Sequence, residues 1–154
     1  KSPLMMELKQ IIDHSGISCS GIIVELTESG YLEGTPAVRS VWNDMKKLRI
    51  QIALDDFGTG YSNLMNISNL EPDIVKLDRG FTLKALSRSY EYQLMQYVIE
   101  MVHKLNQYVC VEGVETKEDL EKIKALGPDL IQGYYYSKPC SRDEFLKKFF
   151  GYSE

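Results

Sequence analysis

Two adjacent carboxylates stand where an apolar segment ends and a glycine-rich turn begins. The apolar run 52–54 leads directly into Asp55 and Asp56, and Gly58 and Gly60 follow shortly after. Neighbouring carboxylates repel each other, so placing them at the end of a buried strand is costly unless a cation lies between them. Hard divalent ions prefer such oxygen ligands, and glycines let the backbone turn sharply beside a ligand. The alternative is that the acids only cap the next helix and begin a turn.

Polar side chains also follow the other apolar segments of the chain. Because the carboxyl ends of parallel strands meet at one rim, where ligands bind, we expect these groups to converge. Any one of them could be a helix cap or a surface charge. Helix caps do not readily explain why polar groups occur at the same end of all five apolar segments. The set contains oxygen ligands, one amine and one amide, which indicates magnesium or manganese and phosphate chemistry rather than a zinc site. Its members outside the double acid are Glu25, Glu28, Lys76, Asp78, Glu112, Glu115 and Gln132.

The elements that would position these groups alternate between strands and helices. This alternation predicts a parallel sheet joined by right-handed crossovers, with strands buried on both faces. Five strands are too few to close a (β/α)₈ barrel, and the glycine fingerprint of a dinucleotide-binding fold is absent, although a doubly wound sheet would fit the count. The predicted strands are 21–26, 50–54, 73–77, 108–112 and 129–132, and the predicted helices are 4–13, 36–48, a short region near 62–68, 90–105, 117–126 and 141–150.

Periodicity and capping signals predict how several helices are placed. Thr116 is a good N-cap, and Ser141 with Glu144 forms a capping box. Trp42 is predicted to be a core residue, and strand alternation predicts that at least one of the three tyrosines 134–136 is buried. The helix 90–105 is predicted to direct one apolar face inward, comprising Leu94, Tyr97, Val98, Met101 and Leu105.

Composition indicates a single globular domain of 154 residues with 44% hydrophobic content, which excludes a disordered tail. The net charge of −4 gives no electrostatic reason to expect a DNA or RNA polymer as partner. Cys19, Cys110 and Cys140 are widely spaced, which is typical of reduced thiols and indicates a cytoplasmic protein or the cytoplasmic part of a membrane-anchored one. The chain begins at Lys1 rather than Met, so we expect it to be a piece of a longer protein.

Five segments, in order and at their spacing, resemble the EAL-domain family over essentially the whole chain. That family consists of bacterial cyclic-di-GMP phosphodiesterases on a (β/α)₈-type barrel, which cleave one phosphodiester bond to give linear pGpG with magnesium or manganese. The resemblance therefore implies a second-messenger hydrolase whose ligand is cyclic-di-GMP. The segments are ELTE at 25–28, DDFGTGYS at 55–62, KLDR at 76–79, VEGVET at 111–116 and QGYYYSKP at 132–139.

The resemblance also implies a role for each matching residue. Glu25, Asp55 and Asp56 would bind metal, with Asp55 bridging two ions, and Glu112 would be a metal-linked acid. Lys76 would hold the attacking water or offset charge in the transition state, and Lys76 and Glu112 both remain candidates for the general base. Gln132 would complete the water shell of the site. The supporting or substrate-side positions would be Glu28, Gly58, Thr59, Gly60, Asp78, Glu115 and Pro139.

The family's Glu-Ala-Leu motif and a later asparagine ligand have no counterpart in this chain. Residues 1–154 are therefore expected to be a partial EAL domain, the C-terminal five β/α units from about the fourth barrel strand onward. A strand at the edge of an incomplete sheet has unpaired backbone groups that can pair with another chain. We therefore expect a homo-oligomer, such as a dimer, or association with the missing N-terminal part. The fragment alone should be weakly active or inactive, with GGDEF or sensory domains possible upstream. The alternative function is a receptor module that binds cyclic-di-GMP without cleaving it.

Overall fold

The computed structural model describes residues 3–27, 36–59, 67 and 71–151, which form an α/β fold around one parallel sheet. The predicted site positions Glu28 and Gly60 lie outside the described residues, as does the predicted helix near 62–68 apart from Ile67. The strands are β1 (Ile23–Thr27), β2 (Gln51–Phe57), β3 (Ile74–Leu77), β4 (Tyr108–Glu112) and β5 (Leu130–Gln132). The helices are α1 (Pro3–Ser15), α2 (Pro36–Lys47), α3 (Arg79–Ser87), α4 (Ser89–Lys104), α5 (Lys117–Lys124) and α6 (Arg142–Phe150), with a 3₁₀ turn at Cys19–Gly21.

The five strands are ordered β1-β2-β3-β4-β5 and are all parallel, as predicted. One face of the sheet packs against the helices and forms the main hydrophobic core. Because side chains alternate along a strand, this outer face takes every second residue of each strand. Six of its strand residues are completely buried, namely Ile52, Leu54, Val75, Leu77, Val109 and Val111.

The opposite, inner face of the sheet is only partly covered. Ala53, Ile74 and Cys110 form a small buried cluster there. Toward the amino ends of the strands, in contrast, Ile23, Tyr108 and Leu130 are 46%, 55% and 46% exposed. In a closed (β/α)₈ barrel this inner face is filled by side chains from all the strands, so the described sheet corresponds to part of such a barrel.

Helix α3 was not predicted from the sequence. It begins after Asp78, whose Oδ1 accepts a hydrogen bond from the backbone N–H of Gly80 at 2.6 Å. Its buried residues are Phe81, Thr82 and Ala85, so a polar and a small side chain replace the large apolar residues that mark an amphipathic helix. The Asp78 N-cap was the signal that could have identified this helix.

The predicted inward face of α4 is partly wrong. Val98 is buried, but Leu94, Tyr97 and Leu105 are 42%, 66% and 43% exposed. The helix instead packs against the sheet through Met95, Val98, Ile99 and Val102. Because α4 is apolar on two sides, periodicity alone cannot decide which side meets the sheet.

The prediction that a tyrosine of 134–136 lies in the core is also wrong. All three rings are at least 40% exposed, because these residues form a turn after β5 instead of continuing the strand. Trp42 is buried, as predicted.

The predicted helix caps are confirmed at α5 and α6. Thr116 forms a capping box with Asp119, and Ser141 forms one with Glu144. The segments that lead from helices back to the strands turn through left-handed residues, including Arg49 (φ 60°) and Asn106 (φ 58°). Among the described residues, no helix has the length and apolar character needed to cross a membrane.

Candidate active site

The side chain of Lys76 lies at the centre of a cluster of carboxylates from three neighbouring strands. Its Nζ is 2.9 Å from Glu25 Oε1 on β1, 3.0 Å from Asp55 Oδ1 on β2 and 2.8 Å from Glu112 Oε1 on β4. The lysine side chain is 7% exposed, whereas Glu25 at the edge strand is 50% exposed. The sheet therefore brings together four of the predicted catalytic and metal-binding residues at its carboxyl rim.

An irregularity in β2 places both acids of the Asp-Asp pair near the cluster. Leu54 pairs with Val75 and Phe57 pairs with Leu77, so Asp55 and Asp56 together lie opposite the single residue Lys76. A regular strand would point neighbouring side chains to opposite faces, and an extra residue of this kind redirects one of them. Asp56 has a left-handed backbone with φ 61°, which is uncommon for a residue other than glycine. Such unfavourable backbone is found preferentially at functional sites.

The electrostatics of the cluster follow from burial and proximity. Burial alone would lower the pKa of Lys76, but its contacts with Glu112, Glu25 and Asp55 outweigh burial and raise that pKa above its ordinary value. The ammonium is therefore charged at neutral pH. Burial, followed by repulsion from Asp55, raises the pKa of Asp56. The site thus combines a fixed positive charge with an excess of negative charge.

The rim loops after β2 and β4 are packed tightly against the start of α3. Gly58 has φ 100°, and a Cβ added there would lie 2.9 Å from the ring of Phe81. Gly113 has φ 79°, and a Cβ there would overlap the side chain of Arg79. Arg79 also donates from Nη2 to Oε1 of Glu115 at 2.8 Å. The unpredicted helix α3 therefore packs against the two loops that directly follow the acids of β2 and β4.

Arg79 and Phe81 pack against the loops of the site, and sequence reasoning did not predict these contacts. Their signal was the pair of glycines at 58 and 113, because a glycine at a rim often marks a close approach by another group. Glu115, predicted as a supporting residue, contacts Arg79 rather than the carboxylate cluster. Asp78 serves as the N-cap of α3 and adds to the negative potential at Asp56.

The rim of β5 is joined to that of β4 through the backbone. Gln132 is in register with Glu112, and its carbonyl accepts a hydrogen bond from the N–H of Val114 at 3.3 Å. Gly133 lies against Val114, so any side chain at this position would collide with the backbone. Gln132 therefore lies on the strand next to Glu112, beside the carboxylate cluster around Lys76.

The remaining predicted positions are farther from the chemistry. Thr59 donates from Oγ1 to the carbonyl of Asp56 and so closes the turn after the acids. Pro139 lines grooves beside α6 with Lys138 and Cys140, and no described contact joins it to the carboxylates.

Cys110 lies in register with Lys76, and burial, followed by the charge of Glu112, raises the pKa of its thiol to about 11. At neutral pH this thiol is protonated and a poor metal ligand.

The chemistry of the donor set fits a hard divalent cation. Asp55 Oδ1 is buried, and its one polar partner among the described residues is the ammonium of Lys76 at 3.0 Å. A buried carboxylate oxygen in this state has a free lone pair that a cation would satisfy. In the described part of the chain, however, no three acids surround a common point at metal distance. The carboxylates converge on the ammonium of Lys76 instead.

The chain is similar to a known domain family and to several known proteins. The sequence profile of the EAL domain matches residues 1–139. The cyclic di-GMP phosphodiesterase NbdA of Pseudomonas aeruginosa is 28% identical over 152 residues, covering 97% of this chain and 19% of that protein. The EAL enzyme Bd1971, in its cAMP- and cyclic-di-GMP-bound form, superposes with a TM-score of 0.89 at 29% identity, covering 96% of this chain and 39% of the other.

A manganese and cyclic-di-GMP complex of BlrP1 from Klebsiella pneumoniae superposes with a TM-score of 0.84 at 26% identity. That match covers 90% of this chain and 36% of the other. The described chain thus spans between a fifth and two fifths of the length of the relatives it matches here. The predicted fold class, part of a TIM-type barrel, is confirmed by these superpositions.

Proposed function

Because this chain belongs to the EAL-domain family, we propose that the intact domain hydrolyses one phosphodiester bond of cyclic-di-GMP and releases linear pGpG. The observation that carries this proposal is the convergence of Lys76 with carboxylates from three separate strands. A phosphodiester is an anion, and its hydrolysis builds up negative charge on the oxygens around phosphorus, which such a charged cluster with metal can stabilise. The name of NbdA and the cyclic-di-GMP complexes of Bd1971 and BlrP1 support the same reaction.

The residues that would hold magnesium or manganese, as two ions, are Glu25, Asp55, Asp56 and Glu112. The manganese complex of BlrP1 supports a divalent cation. When bound, a pair of such ions lowers the pKa of water and stabilises the entering and leaving oxygens. The buried carboxylate of Asp55, whose Oδ1 has only Lys76 as a partner among the described residues, would be one of the groups that hold the ions. Gln132 and Asp78 lie beside these ligands and support them.

Lys76 and Glu112 have complementary parts in the reaction. The ammonium of Lys76 donates to a phosphoryl oxygen of the substrate and offsets the negative charge that develops on it, since three carboxylates keep the lysine charged. Glu112 is 2.8 Å from that ammonium and 17% exposed, so it accepts the proton of the attacking water in this scheme. The lysine also holds the Glu112 carboxylate in place.

The experiment is incubation of the full-length protein with cyclic-di-GMP and manganese, with pGpG measured by chromatography. Replacing Lys76 by Ala should lower the rate by on the order of 10²-fold or more, as for loss of a transition-state charge stabiliser. The control is Lys47→Ala, which removes an exposed ion pair with Asp44 on α2. Failure of the folded wild type to release pGpG would overturn the proposal, and equal rates for the wild type and Lys76→Ala, with both folded by circular dichroism, would overturn the role of Lys76.

A second function, binding of cyclic-di-GMP without cleavage, is favoured by one observation. The carboxylates engage Lys76, and no described trio of acids forms a ready cation site. A receptor would bind cyclic-di-GMP in a titration but release no pGpG with either manganese or magnesium. The enzyme would do both.

The uncovered inner face of the sheet supports a proposal about domain organisation and partners. Residues 1–154 would be part of one EAL domain, and further strands from the N-terminal part of that domain would cover Ile23, Tyr108 and Leu130. The described residues alone would then turn over cyclic-di-GMP weakly or not at all. We place the protein in bacterial second-messenger signalling in the cytoplasm, with GGDEF or sensory domains as upstream partners.

A further inference from the structure

Two ion pairs connect the carboxyl end of β3 with the carboxyl end of β4. The inner pair is the contact of Lys76 Nζ with Glu112 Oε1 at 2.8 Å. The outer pair lies three residues farther along both segments. There Arg79 donates to Oε1 of Glu115 from Nη2 at 2.8 Å and from Nε at 3.2 Å. The two segments are therefore joined at two successive points.

The two pairs differ in their exposure to solvent. The inner pair is buried, since Lys76 and Glu112 are 7% and 17% exposed, whereas Arg79 and Glu115 are 59% and 38% exposed. An ion pair as exposed as the outer one contributes little to folding stability. The rigid guanidinium nevertheless donates two hydrogen bonds, which fixes the geometry of the pair even where its energy is small. The outer pair is therefore suited to holding a position.

Gly113 lies between the two pairs and makes the loop deformable. Its backbone is left-handed with φ 79°, and a glycine leaves this conformation readily because it has no Cβ. Arg79 covers this residue, because its Cα lies 3.1 Å from the point that a Cβ of Gly113 would take, and its side chain lies closer still. The backbone that directly follows Glu112 is thus held by Arg79 on the side of β3.

The other side of the same loop is held by the segment around β5. Val114 is completely buried. Its N–H donates to the carbonyl of Gln132 at 3.3 Å, and its carbonyl accepts from the N–H of Tyr135 at 3.1 Å. The loop after Glu112 is therefore fixed between two neighbours, and loss of the contacts on one side would leave Gly113 as a hinge.

We propose that Arg79 is a positioning residue for Glu112 and acts through the loop 113–115. This role rests on the proposed function, in which Glu112 accepts the proton of the attacking water. A misplacement of about 1 Å at such a group can lower turnover by about 10²-fold. Because Lys76 still contacts Glu112 when Arg79 is replaced, we expect a smaller loss of kcat, on the order of 10-fold. Substrate binding should change little, since the guanidinium faces Glu115.

The first test is steady-state release of pGpG by the full-length protein with manganese. Arg79→Met keeps the apolar stem over Gly113 but removes the guanidinium, so it should lower kcat on the order of 10-fold and change KM by less than about 2-fold. Arg79→Lys should recover part of the lost kcat, and Glu115→Gln should reproduce the loss. The double variant Arg79→Met, Glu115→Gln should be no slower than either single variant, because both remove the same contact.

The control for these rates is Lys47→Met, which removes an exposed ion pair with Asp44 on α2 and should keep the wild-type kcat. A wild-type kcat in Arg79→Met would overturn the proposal. A loss that appears only in KM would do the same, because it would place Arg79 in substrate binding instead.

The second test is amide hydrogen exchange of the same full-length proteins without substrate. Arg79→Met should speed exchange severalfold in a peptide that covers residues 108–118 and leave the β1 peptide unchanged. Its thermal midpoint should fall by no more than about 3 °C, because the lost pair is exposed. Unchanged exchange at 108–118 would overturn the positioning role. An inactive wild type would refute the proposed function instead, and the exchange result would then decide whether Arg79 fixes the loop.

Discussion

The central ion cluster predicts a large, pH-dependent loss of stability in the variant Lys76→Met. Methionine matches the length of the lysine stem but carries no charge. In the variant, Asp55 and Glu112 keep only 20% and 17% exposure and face each other without a cation. The removal of one partner from a buried ion pair leaves uncompensated charge, which is more costly than the loss of the pair itself.

The magnitude follows from the burial of each partner. Breaking a buried pair costs about 3–5 kcal/mol. Glu25 is half exposed, so its pair with Lys76 adds at most about 1 kcal/mol. Because Asp55 and Glu112 retain some contact with solvent, we expect a total near the lower limit, about 3 kcal/mol. This is a large part of the 5–15 kcal/mol that is typical of a domain.

The assay is urea unfolding of the chain at pH 7 without divalent ions, followed by circular dichroism. The matched control is Lys47→Met, whose exposed pair with Asp44 should contribute less than about 1 kcal/mol. Adding Glu112→Gln to Lys76→Met should restore part of the lost stability, because one of the repelling charges is removed.

The pH dependence has a definite sign. The pKa of Lys76 is raised in the folded state above its ordinary value of 10.5, so the stabilisation is present at all pH values below that and is lost as the pH rises beyond it. If Lys76→Met is within about 0.5 kcal/mol of the wild type at pH 7, the carboxylates do not converge on a buried ammonium.

Two further predictions concern the backbone. Gly113→Ala should destabilise the protein by about 2–3 kcal/mol, because φ is 79° and the new Cβ would overlap Arg79, whereas Gly16→Ala, with φ 67° and open space, should cost only about 1 kcal/mol. Equal urea midpoints for the two alanine variants would contradict the packing of Arg79 over the rim. Arg49→Gly should stabilise the protein by about 0.5–1 kcal/mol, since the left-handed φ of 60° costs arginine more than glycine. A lower thermal midpoint for Arg49→Gly than for wild type would refute this.

Much of the fold could be read from the sequence because its signals are local. The five strands are short apolar runs, and each was predicted close to its observed position. The capping boxes at Thr116 and Ser141 also depend only on neighbouring residues. Helix α3 was missed because its buried side includes Thr82 and Ala85, which do not show apolar periodicity.

The types and order of the site residues were likewise predictable, because each acid follows an apolar strand. What the tertiary structure decided is how they meet. The extra residue in β2 that brings Asp55 and Asp56 opposite Lys76 depends on the register with β3, a long-range pairing. The packing of Arg79 over Gly113 and the choice of which apolar side of α4 meets the sheet depend on contacts between elements.

The sequence by itself thus determined the five strands and every described helix except α3, the polar groups at the strand ends and the family. The tertiary structure decided that the buried ammonium of Lys76 is the point on which the carboxylates converge. The physical reason is that the sequence patterns of strands and helix caps involve only a few neighbouring residues. The position of a charged side chain at the carboxyl end of the sheet depends instead on strand register, burial and the neighbouring strands.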